Sequence, residues 1–469
     1  MAGPSTSAQR VWQSLNLLFR SNRCSVGVAT LLTASSLIGL VLTSSSQHDR
    51  QLNGLLQLAS SLQLVQAFRA DSSQQPPLLW QRRLGVTPAQ EIWQRLGHGL
   101  WWQGWSVDGQ AYLVLPSSLI TAEERKRSIA HDLSHFVVLS ADALNRQHLR
   151  ERLASKRSSP HELPPLLSSC LQRLARGPAV VWRPEMLARF SGASAPLLQA
   201  AGHGCLSLRV SKGHLQWQGW IGSRDFALAP RELRPGGRGF PEGNPKGPDS
   251  LQPPQALLML EGEHLGVLFS ALASRDIIRR PLEKNYGLGA AQRTKLLEAP
   301  FRLRLLPLPQ GAFKAGLQLQ LWPQAERISL DRSLQALRGR LIDQGLNPTG
   351  REAVIWRESG SSDQDVIGGW RWLQPQSTRP VISVGLGMSP AERPLPAWSD
   401  ASKRPDVLVD LQARPADLAS RGLLDGQWPR VVTQAQALSL RLHRLSSARE
   451  SSPWSELSGQ LALSDAGES

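Results

Sequence analysis

A helix followed by two strands around a tight turn recurs four times along this 469-residue chain, and in three copies another strand precedes the helices. The first copy has a predicted helix at residues 88–96, with Thr87 as its N-cap, and strands at 100–107 and 110–115. The Asp108-Gly109 turn between those strands is a strong hairpin signal. Because one such unit cannot bury its own apolar face, its hairpins must join those of other copies.

The remaining copies keep this order, and the second has a Lys212-Gly213 turn between its hairpin strands. Leu-rich alternation predicts strands at residues 179–182, 205–211, 214–221, 256–260, 301–306, 312–321, 352–357, 368–373, 380–387, 407–411, 438–442 and 455–463. We therefore expect an α+β fold in which repeated helix–β-hairpin units form antiparallel sheets with helices on one face.

A charge-free apolar segment near the start predicts a transmembrane helix. Residues 26–42 read VGVATLLTASSLIGLVL, and the charges before them are all arginines. The positive-inside rule then assigns residues 1–23 to a cytoplasmic basic tail, residues 24–46 to a signal anchor, and the bulk to the extracytoplasmic side. A cleaved signal peptide, cut near Ser44 to Ser46, and a buried soluble helix are the alternatives.

Breaks in composition divide the rest of the chain. Residues 47–76 are predicted to hold a membrane-proximal helix spanning 52–70, and residues 77–227 a first α+β domain of two helix-hairpin units. That domain contains a helical insert at 122–176. The further boundaries are a Gly- and Pro-rich linker at 228–254, a second α+β domain at 255–388, a linker at 389–405 and a C-terminal strand-helix-hairpin unit at 406–469.

Charge and cysteine content limit the classes of partner. The net charge is +16, carried mostly by scattered arginines, and the predicted topology argues against nucleic acid. The expected partners are the membrane and an envelope protein, lipid or glycan. Three cysteines exclude a disulfide framework; Cys170 and Cys205 form either one bridge or, as is commoner, two buried free thiols.

The sharpest candidate for chemistry is the pair His131 and His135, predicted on a helix that begins near Ala122. Two histidines four residues apart lie on one helix face and could bind zinc, as in the His-Glu-x-x-His arrangement of zinc metalloproteases. Asp132 stands where that arrangement has its glutamate, and no downstream Gly and His follow. His98 and His203, each in a Gly-His-Gly sequence, are interpreted as helix C-cap residues.

No catalytic, cofactor-binding or metal-binding residue is assigned, and no cofactor is expected. The sequence thus favours a non-enzymatic, single-pass, extracytoplasmic protein with a binding or envelope-assembly role. One alternative is a lipid- or glycan-binding module that uses tryptophans on its sheet faces, and another is a zinc hydrolase built on His131 and His135. The tryptophans of the first alternative are Trp101, Trp102, Trp105, Trp217 and Trp220.

Overall fold

A computed structural model describes residues 51–155, 165–183, 202–222 and, with short gaps, 256–463. It confirms a mixed helix and strand fold built on a large antiparallel sheet. The predicted anchor at residues 24–46 and the linker at 228–254 lie outside the described residues. None of the helices in the described ranges combines the length and apolar character that crossing a bilayer requires.

The described helices and strands follow one another in short alternation. The helices are α1 (51–61), α2 (Leu78–Leu84), α3 (Val86–Leu96), α4 (Ala122–Arg127), α5 (Ala143–Ser155), α6 (Pro165–Arg176), α7 (Asp276–Lys284), α8 (Ala290–Leu297), α9 (Arg327–Asp343), α10 (Pro415–Ser420) and α11 (Arg430–Thr433). The strands are β1 (Leu64–Arg69), β2 (Leu100–Trp105), β3 (Ala111–Pro116), β4 (Ala130–Leu133), β5 (Phe136–Leu139), β6 (Ala179–Trp182), β7 (Gly204–Ser211), β8 (His214–Gly222), β9 (Leu258–Gly262), β10 (Phe301–Pro307), β11 (Ala315–Leu321), β12 (Asn347–Thr349), β13 (Ala353–Arg357), β14 (Val366–Leu373), β15 (Val381–Leu386), β16 (Val407–Ala413), β17 (Ala437–Arg444) and β18 (Trp454–Ala462).

All eighteen described strands form one continuous antiparallel sheet. The pairings give the spatial order β4–β5–β3–β2–β1–β6–β7–β8–β18–β17–β16–β9–β10–β11–β15–β14–β13–β12. Four groups of three strands, β1–β2–β3, β6–β7–β8, β9–β10–β11 and β16–β17–β18, join through equivalent strands. The first strands of two groups pair in β1–β6 and in β9–β16, and the last strands of two groups pair in β8–β18. Sheet pairing therefore links the predicted domains 77–227, 255–388 and 406–469.

Two predicted hairpin turns have the backbone that their residues favour. Gly109 has a φ of 82°, and Lys212 and Gly213 have φ values of 49° and 71°. The left-handed pair at 212–213 matches the twist of the strands on either side, and a two-residue loop of this kind fixes their register. Accordingly Ser211 lies opposite His214, as a two-residue turn requires.

Two helical predictions in the first third of the chain are wrong. The helix predicted at 52–70 ends at residue 61, and Leu64–Arg69 is instead β1, hydrogen-bonded to β2 and β6 on either side. The insert at 122–176 is not wholly helical, because it contains the β4–β5 hairpin. Thr87 also lies inside α3, whose N-cap is Gly85. Tertiary pairing outweighs local propensity where a strand is flanked on both edges.

The prediction of helices on one face is also wrong for the N-terminal strands. Adjacent residues Trp101 and Trp102 of β2 belong to different apolar clusters, and successive strand residues point to opposite faces. Trp101 packs with α2 and α3, whereas Trp102 packs with α1, α5 and α6. Helices therefore cover both faces of this part of the sheet.

A disulfide joins Cys170 of α6 to Cys205 of β7, with Cα atoms 5.7 Å apart. The expectation of two free thiols is therefore wrong. Both residues are buried in the cluster that also holds α1 and α5, so the bond ties α6 to the sheet from inside the apolar core.

Candidate functional site

A continuous row of polar side chains crosses ten neighbouring strands on one face of the sheet. Each member lies directly opposite the next in the strand register, so the row runs perpendicular to the strands. This polar row consists of Ser207, Gln218, Ser458, Arg441, Asp410, Glu261, Arg302, Gln320, Ser383 and Arg371. We call the sheet face that carries it the polar face.

The opposite face of the central strands β9, β10, β11 and β16 is apolar and covered by helices. Leu260 and Leu303 alternate with Glu261 and Arg302, and they belong to a buried cluster with side chains of α8 and α9. Because strand residues alternate between faces, this apolar packing fixes the polar row on the other side. Apolar alternation in the sequence was thus a signal for which residues of each strand lie on the polar face, but not for their neighbours on other strands.

The row begins where helical cover on the polar face ends. Ala179, in the cluster beneath α6, lies opposite Ser207, the first member of the row. At this boundary the guanidinium of Arg173 donates to Ser207 Oγ at 2.9 Å and lies 4.2 Å from the centroid of the Trp220 ring. Burial lowers the pKa of Arg173 to about 10. No described helix beyond α6 contributes to an apolar cluster on this face.

Four charged residues form the centre of the row in the order Arg441, Asp410, Glu261, Arg302. Arg441 Nε donates to Asp410 Oδ2 at 2.9 Å, and Arg302 Nε lies 3.4 Å from Glu261 Oε2. Asp410 is 1 % exposed, and its burial raises the pKa of the carboxyl group, although Arg441 opposes the shift. Among the residues that the structure describes, Asp410 Oδ1 is buried without a hydrogen-bond partner. Burying two carboxylates costs free energy that an apolar pair would not, so stability alone does not explain them.

A short segment, residues 387–396, lies on the polar face and is held by side chains of the row; we call it the strap. The amide of Gln320 donates to the Arg393 carbonyl at 2.9 Å and accepts from the Leu395 amide at 2.8 Å. Arg302 Nη1 donates to the Leu395 carbonyl. The row therefore binds the backbone of the strap through side-chain amide and guanidinium groups.

Close contact between strap and sheet depends on glycine. A methyl group at Gly385 of β15 would lie 2.8 Å from the Pro390 nitrogen and closer still to the Met388 carbonyl oxygen. Gly387, with a φ of 70°, turns the chain from β15 into the strap. These positions allow a backbone to approach where any larger residue would hold it away.

A cavity of about 220 Å³ opens beside the strap, where the polar row meets the ends of β9, β10, β11 and β16. Glu261 and Arg302 belong both to this cavity and to the row. Its walls are formed by Glu261, Gly262, Glu263, Pro300, Phe301, Arg302, Trp322 and Val407. Arg302 lies 5.1 Å from the centroid of the half-buried Trp322 ring. Sequence inspection did not single out any of these residues.

The predicted His131 and His135 pair does not share a helix face. Helix α4 ends at Arg127; His131 lies in β4, and His135 lies in the turn to β5, where Ser134 has a φ of 54°. The buried run Phe136–Leu139 pairs with β4 and imposes the hairpin. In the described part of the chain, no three or more His, Cys, Asp or Glu side chains are placed to hold a metal ion.

Two of the five tryptophans proposed as a binding platform are core residues. Trp101 and Trp102 are buried, and Trp102 Nε1 donates to the Leu174 carbonyl. Trp105, Trp217 and Trp220 are half-buried. These five rings lie in different environments and do not form one exposed patch.

The two Gly-His-Gly histidines differ in environment. Gly97 ends α3 with a φ of 60°, and the His98 carbonyl accepts from Arg69. Burial lowers the pKa of His203 to about 4, with a smaller contribution from Arg183, so this ring is neutral at pH 7. The helix that would precede His203 lies outside the described residues.

The chain matches no protein-family model, no curated protein and no solved structure. Its function must therefore be argued from the polar face and the cavity themselves.

Proposed function

We propose that this protein is a non-enzymatic binding protein, anchored in a membrane by residues 24–46, whose extracytoplasmic bulk contacts an envelope component through its polar face. The observation that carries the proposal is the ten-strand polar row, with charged groups at its centre. Uncharged packing would serve the fold equally well there, so we attribute the row to recognition. The strap supports this reading because the row already binds its backbone through side-chain hydrogen bonds.

The extracytoplasmic location is supported by two independent features. Residues 24–46 have the length and composition of a signal anchor with a basic cytoplasmic flank. The Cys170–Cys205 bond is a structural disulfide, and such bonds persist in oxidising compartments outside the cytosol. Neither feature depends on the other.

Orientation is tested with the full-length protein in its own membrane, carrying an epitope tag at the C-terminus. We expect protease to remove the tag when it is added to cells whose outer layers are permeable but whose cytoplasmic membrane is intact. Removal only after the cytoplasmic side is opened would refute the proposed orientation.

The binding surface is tested by placing a photo-cross-linkable residue at Ser458, a half-buried member of the row. The matched control is Ile277 of α7, which is 80 % exposed and lies on a helix that contributes no residue to the row. We expect adducts from position 458 and none from position 277. Equal labelling at both positions, or none at either, would refute the assignment of the polar face as the binding surface.

A further inference from the structure

The cavity beside the centre of the row combines apolar walls with fixed charged groups. Pro300, Phe301 and Val407 supply apolar surface, and the half-buried Trp322 ring supplies an aromatic wall. Glu261 near the end of β9 and Glu263 just beyond that strand place two carboxylates in the wall of the cavity. Ligand sites typically combine a mostly apolar lining with a few converging polar groups.

Arg302 organises the polar part of the cavity. Its guanidinium lies 3.4 Å from Glu261, donates to the Leu395 carbonyl of the strap and lies over the Trp322 ring. These three contacts fix the plane of the guanidinium before any ligand arrives. A donor group held in this way loses little conformational entropy on binding.

The charges restrict the class of ligand. Two carboxylates oppose an anionic group, and the Arg302 charge against Trp322 opposes a cation at the ring. A neutral ligand that both donates and accepts hydrogen bonds avoids both penalties. A sugar ring meets these conditions, because its hydroxyl groups donate to carboxylates and accept from guanidinium while its C–H face packs on an aromatic ring.

We propose that the cavity lined by Glu261, Glu263, Arg302, Phe301 and Trp322 binds one neutral sugar residue of an envelope glycan. The carboxylates accept from the sugar hydroxyls, Arg302 donates to a hydroxyl or ring oxygen, and Trp322 packs against the C–H face. This inference rests on the proposed binding function and names the ligand class for the cavity beside the centre of the polar row. It requires no catalytic step.

The test uses the purified full-length protein in detergent and three neutral probes: a β-1,4-linked N-acetylglucosamine tetramer, cellotetraose and maltotetraose. We expect one of them to bind in calorimetry. Trp322→Ala should weaken that binding about tenfold or more, since it removes the aromatic wall. Glu263→Gln keeps the size of the side chain and should weaken it as well, which guards against a folding defect in the tryptophan variant.

Trp217→Ala is the matched control, because Trp217 is also half-buried but packs over Gly459 on the opposite face. We expect unchanged sugar affinity from it. Absence of binding to all three probes, or equal losses in Trp217→Ala and Trp322→Ala, overturns the sugar assignment. Binding of anionic lipid vesicles that Trp322→Ala abolishes, with no sugar binding, also overturns it but leaves the proposed binding function intact.

Discussion

Removal of the Cys170–Cys205 bond should destabilise the N-terminal part of the protein by a calculable amount. The two cysteines are 35 residues apart, and closing a loop of that size restricts the unfolded chain. The loop-entropy relation gives about 13 cal/mol/K, which amounts to about 4 kcal/mol at 25 °C.

The assay is urea unfolding of the full-length protein in detergent, with and without reductant. Tryptophan fluorescence monitors the unfolding. We expect reduction to lower the free energy of unfolding of the wild type by about 3–4 kcal/mol. The Cys170→Ala, Cys205→Ala double variant should have that lower free energy of unfolding with or without reductant. Deletion of residues 24–46 should leave both thiols reduced in cells, because the bulk would stay in the cytosol. The reasoning fails if the unreduced wild type, once denatured, exposes two alkylatable thiols at these positions.

Three further changes probe the core, the strap and the charged centre. Trp80→Ala empties a fully buried site and should cost about 3–5 kcal/mol in thermal unfolding, whereas Leu78→Ala, at a side chain 67 % exposed, should cost under about 0.5 kcal/mol. Gly385→Ala should displace the strap and speed its limited proteolysis, while Gly339→Ala, with open space around it, should not. Asp410→Asn should flatten the dependence of stability on pH, because burial raises the pKa of this carboxyl above its ordinary 3.8 in the folded state.

The direction of the pH effect follows from that raised pKa. Asp410 contributes stability below pH 3.8, where it is neutral in both states, and loses that contribution as pH rises through its folded-state pKa. The wild type should therefore lose stability relative to Asp410→Asn over that interval in urea unfolding at a series of pH values. Parallel curves for the two proteins would show that Asp410 titrates as it does in the unfolded chain.

Local patterns predicted most of the strands in the second half of the chain. The alternation of Leu260, Leu303 and Leu411 with polar residues gives a strand with one apolar face, whatever the strand pairs with. The β6 boundaries at Ala179 and Trp182 were predicted without error, since a short β-branched run is bounded there by glycine and proline on one side.

The errors fall where distant pairing overrides local preference. Residues 64–69 carry enough Leu, Gln and Ala to suit a helix, yet β2 and β6 pair with them on both edges. His131 follows a charged helix with a complete capping box at Thr121. It nevertheless lies in a hairpin, because the buried strand β5 after Ser134 pairs with β4. Helix propensity is worth a few tenths of a kcal/mol per residue, less than the burial that these strands gain.

The sequence by itself determined most strands of the second half of the chain and the hairpin turns at Asp108-Gly109 and Lys212-Gly213, because side-chain alternation and turn signals act over a few residues. Only the tertiary structure decided the order of those strands, and with it the neighbours of every polar residue. Glu261, Arg302 and Asp410 are separated by up to 149 positions in the chain and become adjacent through register alone. The polar row and its cavity therefore arise from strand pairing, which no local pattern encodes.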